Sequence, residues 1–216
     1  MMFSIATVLA ASTAVSAAAF RRTQTASMTP HDSYSSSIGV LGCKINTNRV
    51  AYWPMPVDCD NICVKLTYED RSLTLLRIDQ SGGAHDISYE SWNWLAFGKS
   101  ATADPHTGGG IDMQWSYVPV SECASILDNG KLPLTASNSM DYVASCLSQP
   151  NSWVAKNHKL VNMIDPLCKY GFDEECSLNL SVSNQPNCPH TLGLMNSPTG
   201  QHVTNIAYST GKEVVA

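Results

Sequence analysis

Two carboxylates flank a glycine turn in the stretch SLTLLRIDQSGGAHDIS, which spans residues 72–88. Asp79 ends an apolar run, and Asp86 comes just before a segment that is typical of a helix start. Paired carboxyl groups can divide acid and base work in catalysis. They can equally be structural, since Asp79 could accept backbone N–H groups of the turn and Asp86 could cap the helix. We favour the structural role for Asp79 and leave both roles open for Asp86.

The elements that would position these side chains are mostly strands separated by turn signals, from residue 39 to residue 128. One strand is predicted over 43–53. The segment 61–79 predicts two more strands, joined by a tight turn at Glu69-Asp70-Arg71. Residues 111–117 alternate strictly, so one face of that strand carries a set of apolar side chains: Ile111, Met113, Trp115 and Tyr117.

Helices are predicted to be few and short. Ser88 is a plausible N-cap, and Glu90 lies in the first turn, where the helix macrodipole favours an anion. A second short helix is predicted over 121–127. The glycine-rich stretch 98–110 gives no periodic signal and is predicted to be a loop.

The first 38 residues fall into two segments of different composition. Residues 5–19 are an uncharged, apolar run of small residues that ends in three alanines, which predicts a secretory signal peptide over 1–19. The run is too short for a spanning helix, so we expect a secreted, extracellular protein with no membrane segment. Residues 20–38 are rich in Ser, Thr and Pro, and are predicted to be a disordered lead-in or a short propeptide. Arg21-Arg22 marks either a second cleavage site or simply the start of the mature chain.

The cysteines predict a disulfide framework. Eight follow the predicted signal, which in a secreted chain allows four bridges. Their spacing predicts that the first four pair among themselves and the last four likewise: Cys43, Cys59, Cys63 and Cys123, then Cys146, Cys168, Cys176 and Cys188. The sequence lacks C-x-x-C pairs, so we expect no metal site and no cofactor. Asn179-Leu180-Ser181 is a glycosylation sequon.

Composition narrows the choice of partner. Charged residues are 14% of the chain, the net charge is −5, and no basic run exists. Nucleic acid is therefore not an expected partner, because neutralising phosphates needs clustered Lys and Arg. A charge-poor, extracellular surface suits a polysaccharide or a host extracellular protein, bound by a monomer.

Residues 129–216 differ in composition from the strand-rich region before them. The segment is rich in proline, contains four of the eight cysteines and shows only weak hydrophobic periodicity. A helix is predicted over 140–147 and a strand over 176–184, in which Leu178, Leu180 and Val182 alternate. We predict a loop-rich, disulfide-stapled extension that packs on the preceding region rather than an independent domain.

The order of these elements resembles a known fold. A C-x-x-x-C-V-K-L-T strand, a second strand ending in Asp79, a glycine turn, Asp86-Ile87-Ser88 and a GGGI…W-S-Y-V strand are similar to the six-stranded double-psi β-barrel. Barwin, the first domain of expansins, rare-lipoprotein-A-like domains and the endoglucanases of glycoside hydrolase family 45 share this barrel. The resemblance covers about 42–123. It implies a mainly β fold with short helices, and a generic β-sandwich is the alternative. The whole chain also resembles secreted proteins of filamentous fungi, a likeness that implies no activity.

The resemblance implies one candidate for the catalytic acid and shows that the matching catalytic base is missing. In the related endoglucanases the acid lies in an H-F-D segment before the helix, and the matching residue here is Asp86, which expansins also keep. The base of those enzymes follows a Tyr-Trp pair on the first strand, whereas here Tyr52-Trp53 is followed by Pro54. An inverting glycosidase needs both carboxyl groups, about 6.5–9.5 Å apart. Asp58 and Asp60 lie a few residues on, at a distance that sequence cannot give. Expansins loosen wall polymers without cutting them and tolerate the same loss.

Sugar contacts would come from exposed aromatic faces and polar neighbours of the acid. We predict four such residues: Tyr52, Trp53, His85 and Trp94. Of these, Trp53 and Trp94 are expected to be the most exposed aromatic side chains.

Three functions remain open. The first is a non-hydrolytic, expansin-like or barwin-like protein that binds wall polysaccharide at a fungus–plant interface. The second is a secreted effector or protease inhibitor that binds a host protein through the 98–110 loop and the extension. The third is a glycosidase with Asp86 as its acid and an unorthodox base.

Overall fold

The computed structural model describes residues 22–198 and 200–216. The predicted signal peptide at 1–19 lies outside these residues. No helix of the described part is long and apolar enough to cross a membrane.

Six strands close into a barrel in the order β1-β5-β2-β4-β3-β6, with β6 returning to β1. The β1–β5 and β2–β4 pairs are parallel, and the other ladders are antiparallel. This arrangement confirms the predicted fold class, a mainly β chain built on a six-stranded double-psi barrel. The strands are β1 Gln24–His31, β2 Val50–Trp53, β3 Cys63–Tyr68, β4 Arg71–Gln80, β5 His85–Ser88 and β6 Ile111–Tyr117.

Strand β1 lies within the segment 20–38 that the sequence predicted to be disordered, so that prediction is wrong. The strand is hydrogen-bonded on both sides, to β5 and to β6. Its inward face carries Ala26, the fully buried Met28 and Pro30, which is too little apolar surface to show in composition. The two ladders supply the backbone hydrogen bonds that stabilise it. The barrel therefore begins at Gln24 and not at residue 39.

The barrel interior is mainly apolar and is closed on one side by helix α1, Tyr89–Phe97. The predicted apolar face of β6 points inward, with Met113 and Trp115 buried. Ser88 occupies the N-cap position, yet its hydroxyl donates to the carbonyl of Asn48 at 2.7 Å and does not cap the helix. Glu90 accepts from the Ala101 N–H at 2.7 Å, and so it anchors the loop that follows α1.

Two element boundaries differ from the prediction. The strand predicted over 43–53 begins only at Val50, because the chain first makes two 3₁₀ turns, Gly42–Lys44 and Thr47–Arg49. The helix predicted over 121–127 is a 3₁₀ turn, Val120–Cys123.

The extension carries secondary structure of its own. Strand β7 pairs in parallel with β8, and β8 pairs antiparallel with β9. The predicted helix over 140–147 is confirmed as α2. The elements are β7 Leu132–Thr135, α2 Met140–Leu147, α3 Trp153–Asn157, β8 His158–Met163, β9 Gly171–Cys176, β10 Thr204–Ile206 and β11 Glu213–Val215. The strand predicted over 176–184 is wrong. After Cys176 the chain turns back on itself to reach Cys188, which leaves Leu180 and Val182 exposed at 40% and 81%.

The disulfides do not divide by halves of the chain, and the predicted pairing is wrong. Two bridges stay within the predicted groups, Cys63–Cys123 and Cys176–Cys188. The other two cross between them, Cys43–Cys168 and Cys59–Cys146. The reason is packing: the extension shares a buried cluster with the outer side of the barrel, where Val50 and Ile78 meet Leu134 and Leu160. Linear spacing carries no information about that contact.

Candidate functional site

Three residues singled out from the sequence, Tyr52, Asp79 and Asp86, lie with Thr29 in one row across four neighbouring strands. Thr29 on β1 is opposite Asp86 on β5, Asp86 is opposite Tyr52 on β2, and Tyr52 is opposite Asp79 on β4. We call these four residues the acid row. Strands lie about 4.8 Å apart, so the two aspartate Cα atoms, with β2 between them, are roughly 10 Å apart.

The acid row lies on the outside of the barrel. Residues that are opposite each other in a ladder share a face, and the next pair along, Ala51 and Ile87, is buried in the interior. An irregularity in the β2–β4 ladder places Asp79, rather than Ile78, opposite Tyr52.

Asp79 is held by three donors. The backbone N–H groups of Ser37 and Gln80 donate to its Oδ1 at 2.9 and 2.8 Å, and the hydroxyl of Ser35 donates to its Oδ2. This set fixes the segment 35–37 against the end of β4. The contacts are those of a structural carboxylate, and its oxygens are already occupied by the protein.

Asp86 is half-buried and accepts a hydrogen bond from the hydroxyl of Thr29. It does not cap α1: the N-cap is Ser88, and the hydrogen bond of Asp86 goes to β1 instead. The helix-cap alternative for Asp86 is therefore wrong. The carboxylate keeps acceptor capacity beyond the single bond from Thr29.

The carboxylates of the two other acidic candidates, Asp58 and Asp60, also accept hydrogen bonds from the protein. Asp58 accepts from the backbone N–H of Asp60 at 2.8 Å and from the side chain of Asn61 at 3.1 Å. Asp60 accepts from the backbone N–H of Trp153 in α3 at 2.7 Å. Both carboxylates thus organise the loop between β2 and β3 and its contact with the extension.

Tyr52 was predicted to contact a ligand, but its side chain is only 4% exposed. Its ring packs on His31, with centroids 4.6 Å apart. Burial raises the pKa of the Tyr52 phenol, a backbone hydrogen bond at Ser35 partly offsets the rise, and the charges of Asp79 and Asp86 add to it. Tyr52 is therefore a neutral, buried phenol between the two aspartates of the acid row.

Trp53 was expected to be exposed and is fully buried, so that expectation is wrong. The side chain next to Tyr52 must point to the opposite face of the sheet, which here is the barrel interior. There its ring meets Trp115 edge-on at 4.4 Å. Trp94, the other aromatic candidate, is half-buried and packs against the same interior cluster.

His85 lies at the end of the barrel beside the buried aromatic rings. It is half-buried, with its ring 5.1 Å from that of Trp53. Burial lowers the pKa of His85, the nearby Arg77 lowers it further, and Asp86 acts in the opposite direction. The imidazole is therefore neutral at neutral pH and is not poised as a cation beside Asp86.

Sequence reasoning missed Arg77, a fully buried cation on the inner side of β4. Its guanidinium donates to the carbonyls of Asn61, Met55 and Pro56 at 3.1–3.2 Å and to the Tyr117 hydroxyl at 2.9 Å. It also lies over the Trp53 ring, 5.3 Å from the centroid. The signal was present: Arg77 is the lone charge in an otherwise apolar run of β4. Its role is to bind the 55–61 loop to the barrel.

The space beside the acid row is small. A cavity of about 20 Å³ lies between the 31–34 segment, Tyr52 and the 204–206 strand. That volume holds about one water molecule, so a sugar would have to bind across the surface and not in a pocket. Within the described residues, no group of three or more His, Cys, Asp or Glu side chains is placed to hold a metal ion.

Asn179 of the sequon lies in an exposed turn between Cys176 and Cys188. Its side-chain oxygen accepts from the hydroxyl and the N–H of Ser181 at 2.6 and 3.1 Å. The turn is accessible to modification, and glycosylation of Asn179 stays a prediction.

No protein-family model and no curated protein sequence matches this chain. Among solved structures, the chain is similar to cerato-platanin 2 and cerato-platanin 3 from M. perniciosa, at 15% and 12% identity. Each match has a TM-score of 0.35 and covers 46% of this chain and 98% of the other. Similarity at this level carries no argument about activity or ligand, so function must be argued from the site itself.

Proposed function

We propose that this protein binds an extracellular polysaccharide and does not hydrolyse it. The observation that carries the proposal is the state of the acid row. Asp86 is presented at the barrel surface with acceptor capacity to spare, while Asp79, which shares its face, is occupied by three donors from its own chain.

The same observation argues against cleavage. An inverting glycosidase needs a second carboxylate that is free to activate water. Asp79, Asp58 and Asp60 each accept backbone N–H groups, and moving any of them onto a water would leave those donors unpaired. A carboxylate that accepts from sugar hydroxyls, with Thr29 fixing its orientation, needs no such partner.

The setting we propose is extracellular. Four disulfides join the described residues, and such bridges persist in oxidising environments. With the predicted signal peptide and the resemblance to secreted fungal proteins, this favours a role at a fungal wall or a fungus–plant interface.

The test is a pull-down on insoluble cellulose, chitin and xylan. We expect wild type to bind at least one polymer and Asp86→Asn to bind about tenfold more weakly, because a hydrogen bond to a charged group contributes about 1.5–3 kcal/mol. Asp141→Asn, at an exposed position on α2, is the matched control and should bind like wild type. Reducing sugar released by wild type and lost in Asp86→Asn would contradict the non-hydrolytic role.

A second function, binding to a host protein, is favoured by one observation. The extension exposes apolar side chains on two of its loops: Leu180, Val182, Leu194 and Met195. Exposed apolar groups of this kind often mark protein contacts. If the wild-type protein binds none of the polymers, a role as an effector or inhibitor that binds a host protein becomes the better-supported function.

A further inference from the structure

One outer side of the barrel carries a set of polar side chains. They lie on β1, β6, β3 and the first half of β4, and we call them the polar face: Thr25, Ser27, Lys65, Thr67, Ser72, Asp112, Gln114 and Ser116. All are exposed or half-buried, and the residues that alternate with them fill the barrel interior.

The polar face is ordered by the strand register. Thr25 is opposite Gln114, Gln114 is opposite Thr67, and Thr67 is opposite Ser72, which makes one straight row across four strands. A second contact runs beside it, from Ser116 to Lys65. The side chains of one row therefore repeat about every 4.8 Å across the sheet, on a fixed backbone.

The hydrogen-bonding groups of the polar face are free. Within the described residues, none of its eight side chains makes a hydrogen bond or an ion pair to the protein, whereas Thr74, which lies on the same side of the sheet opposite Lys65, donates to the Glu122 carbonyl at 3.2 Å. In the acid row, by contrast, Asp79, Asp86 and Thr29 are all hydrogen-bonded internally. A surface that binds a polyol needs free hydroxyl and amide groups, and the polar face has them.

The centre of the polar face is not flat. Two adjacent depressions, of about 380 and 200 Å³, share Thr67 and Gln114 as the ridge between them. Both are shallow and open, which suits an extended chain better than a small molecule enclosed in a pocket.

Charge identifies the kind of partner. Lys65 and Asp112 are the only charged members of the polar face, and they cancel. Glu69 also lines the first depression beside Asp112, and its charge is paired with Arg71 at 3.0 Å. The whole chain carries −5, so a polyanion is disfavoured. What remains complementary is a neutral polymer rich in hydroxyl groups.

We propose that the polar face is a second docking surface for a neutral polysaccharide chain, which lies across the ridge formed by Thr67 and Gln114. This inference rests on the proposed function and adds to Asp86 a further contact with the polymer, on a different side of the barrel from the acid row. The ordinary alternative is a solvated sheet face with no partner.

The experiment compares two double variants of the full chain in the same pull-down on cellulose, chitin and xylan, with polygalacturonate as an anionic polymer. Thr67→Ala with Gln114→Ala removes the ridge. Gln185→Ala with Thr191→Ala removes the same two residue types from exposed positions on the extension. Thermal unfolding verifies that each variant is folded, and the single variant Gln114→Ala replaces the first pair if that pair is unstable.

We expect the ridge variant to bind about tenfold more weakly than wild type and the control pair to bind equally, with little dependence on salt. If wild type binds and the ridge variant binds as well as wild type, the location is wrong while the proposed function stands. If wild type binds no polymer, the proposed function itself fails. Binding to polygalacturonate alone, abolished by salt, would overturn the choice of a neutral partner.

Discussion

The acid row and the polar face lie on the same barrel and share strand β1, yet their polar groups are used in opposite ways. In the acid row the carboxylates are hydrogen-bonded by their own chain, and Tyr52, which lies between them, is buried. On the polar face the side chains reach solvent without internal partners. The comparison teaches that the residues that match a catalytic motif are here largely built into the structure, while residues outside any motif remain available for binding.

The largest expected difference concerns stability at the centre of each region. Tyr52→Ala should lower the free energy of unfolding by about 3–5 kcal/mol, because it removes a buried aromatic ring. Gln114→Ala should change it by no more than about 0.5 kcal/mol, since the side chain is exposed and makes no hydrogen bond within the described residues. Urea unfolding measures both. Tyr52→Phe, which keeps the ring, is the control, and a loss below about 1 kcal/mol in Tyr52→Ala would mean that the row is not an integral part of the fold.

A smaller difference is expected between the two aspartates that best represent each region. Asp79→Asn replaces an acceptor of three hydrogen bonds and should cost about 1–3 kcal/mol. Asp112→Asn, on the polar face, should be neutral within about 0.5 kcal/mol. Urea unfolding at neutral pH measures both variants. Equal losses of unfolding free energy would contradict the distinction between a carboxylate that the protein hydrogen-bonds and one that it does not.

The smallest effect is on the pH dependence of stability near the acid row. The folded-state pKa of His85 lies below the unfolded value of about 6.5. Between those two values the unfolded chain binds more protons, so the stability contributed by neutral His85 is present above about pH 6.5 and is lost as the pH falls. His85→Asn should therefore flatten the curve of unfolding free energy between pH 7.5 and 5.5, whereas His202→Asn, in the exposed part of the extension, should leave its slope unchanged. A wild-type slope that His85→Asn leaves intact would refute this assignment.

Local pattern was enough to predict part of this architecture. The strict alternation of residues 111–117 predicted β6 and its inward face, and its other face contained Asp112, Gln114 and Ser116 of the polar face. The two strands around Glu69-Asp70 and the helix after Ser88 were also recognisable. These elements depend on short-range periodicity and turn residues, which a single sequence displays.

What could not be predicted depends on contacts between distant segments. Strand β1 is stabilised by its two ladders and not by its composition. Arg77 and Asp79 are two residues apart and should share a face, but the irregularity beside Tyr52 places Arg77 inside and Asp79 with the acid row. The exposure of Trp53 was misjudged for a related reason, because Pro54 after it suggested a strand end at the surface.

The two disulfides that join the extension to the barrel have a consequence for how the protein survives outside a cell. Any single backbone cut between residues 64 and 122 leaves fragments that are still tied by Cys43–Cys168, Cys59–Cys146 and Cys63–Cys123. A protease that nicks the exposed 98–110 loop would therefore not separate the pieces. Such a nicked molecule should migrate as one band on a non-reducing gel and as two after reduction, with its shape preserved for as long as the surroundings stay oxidising.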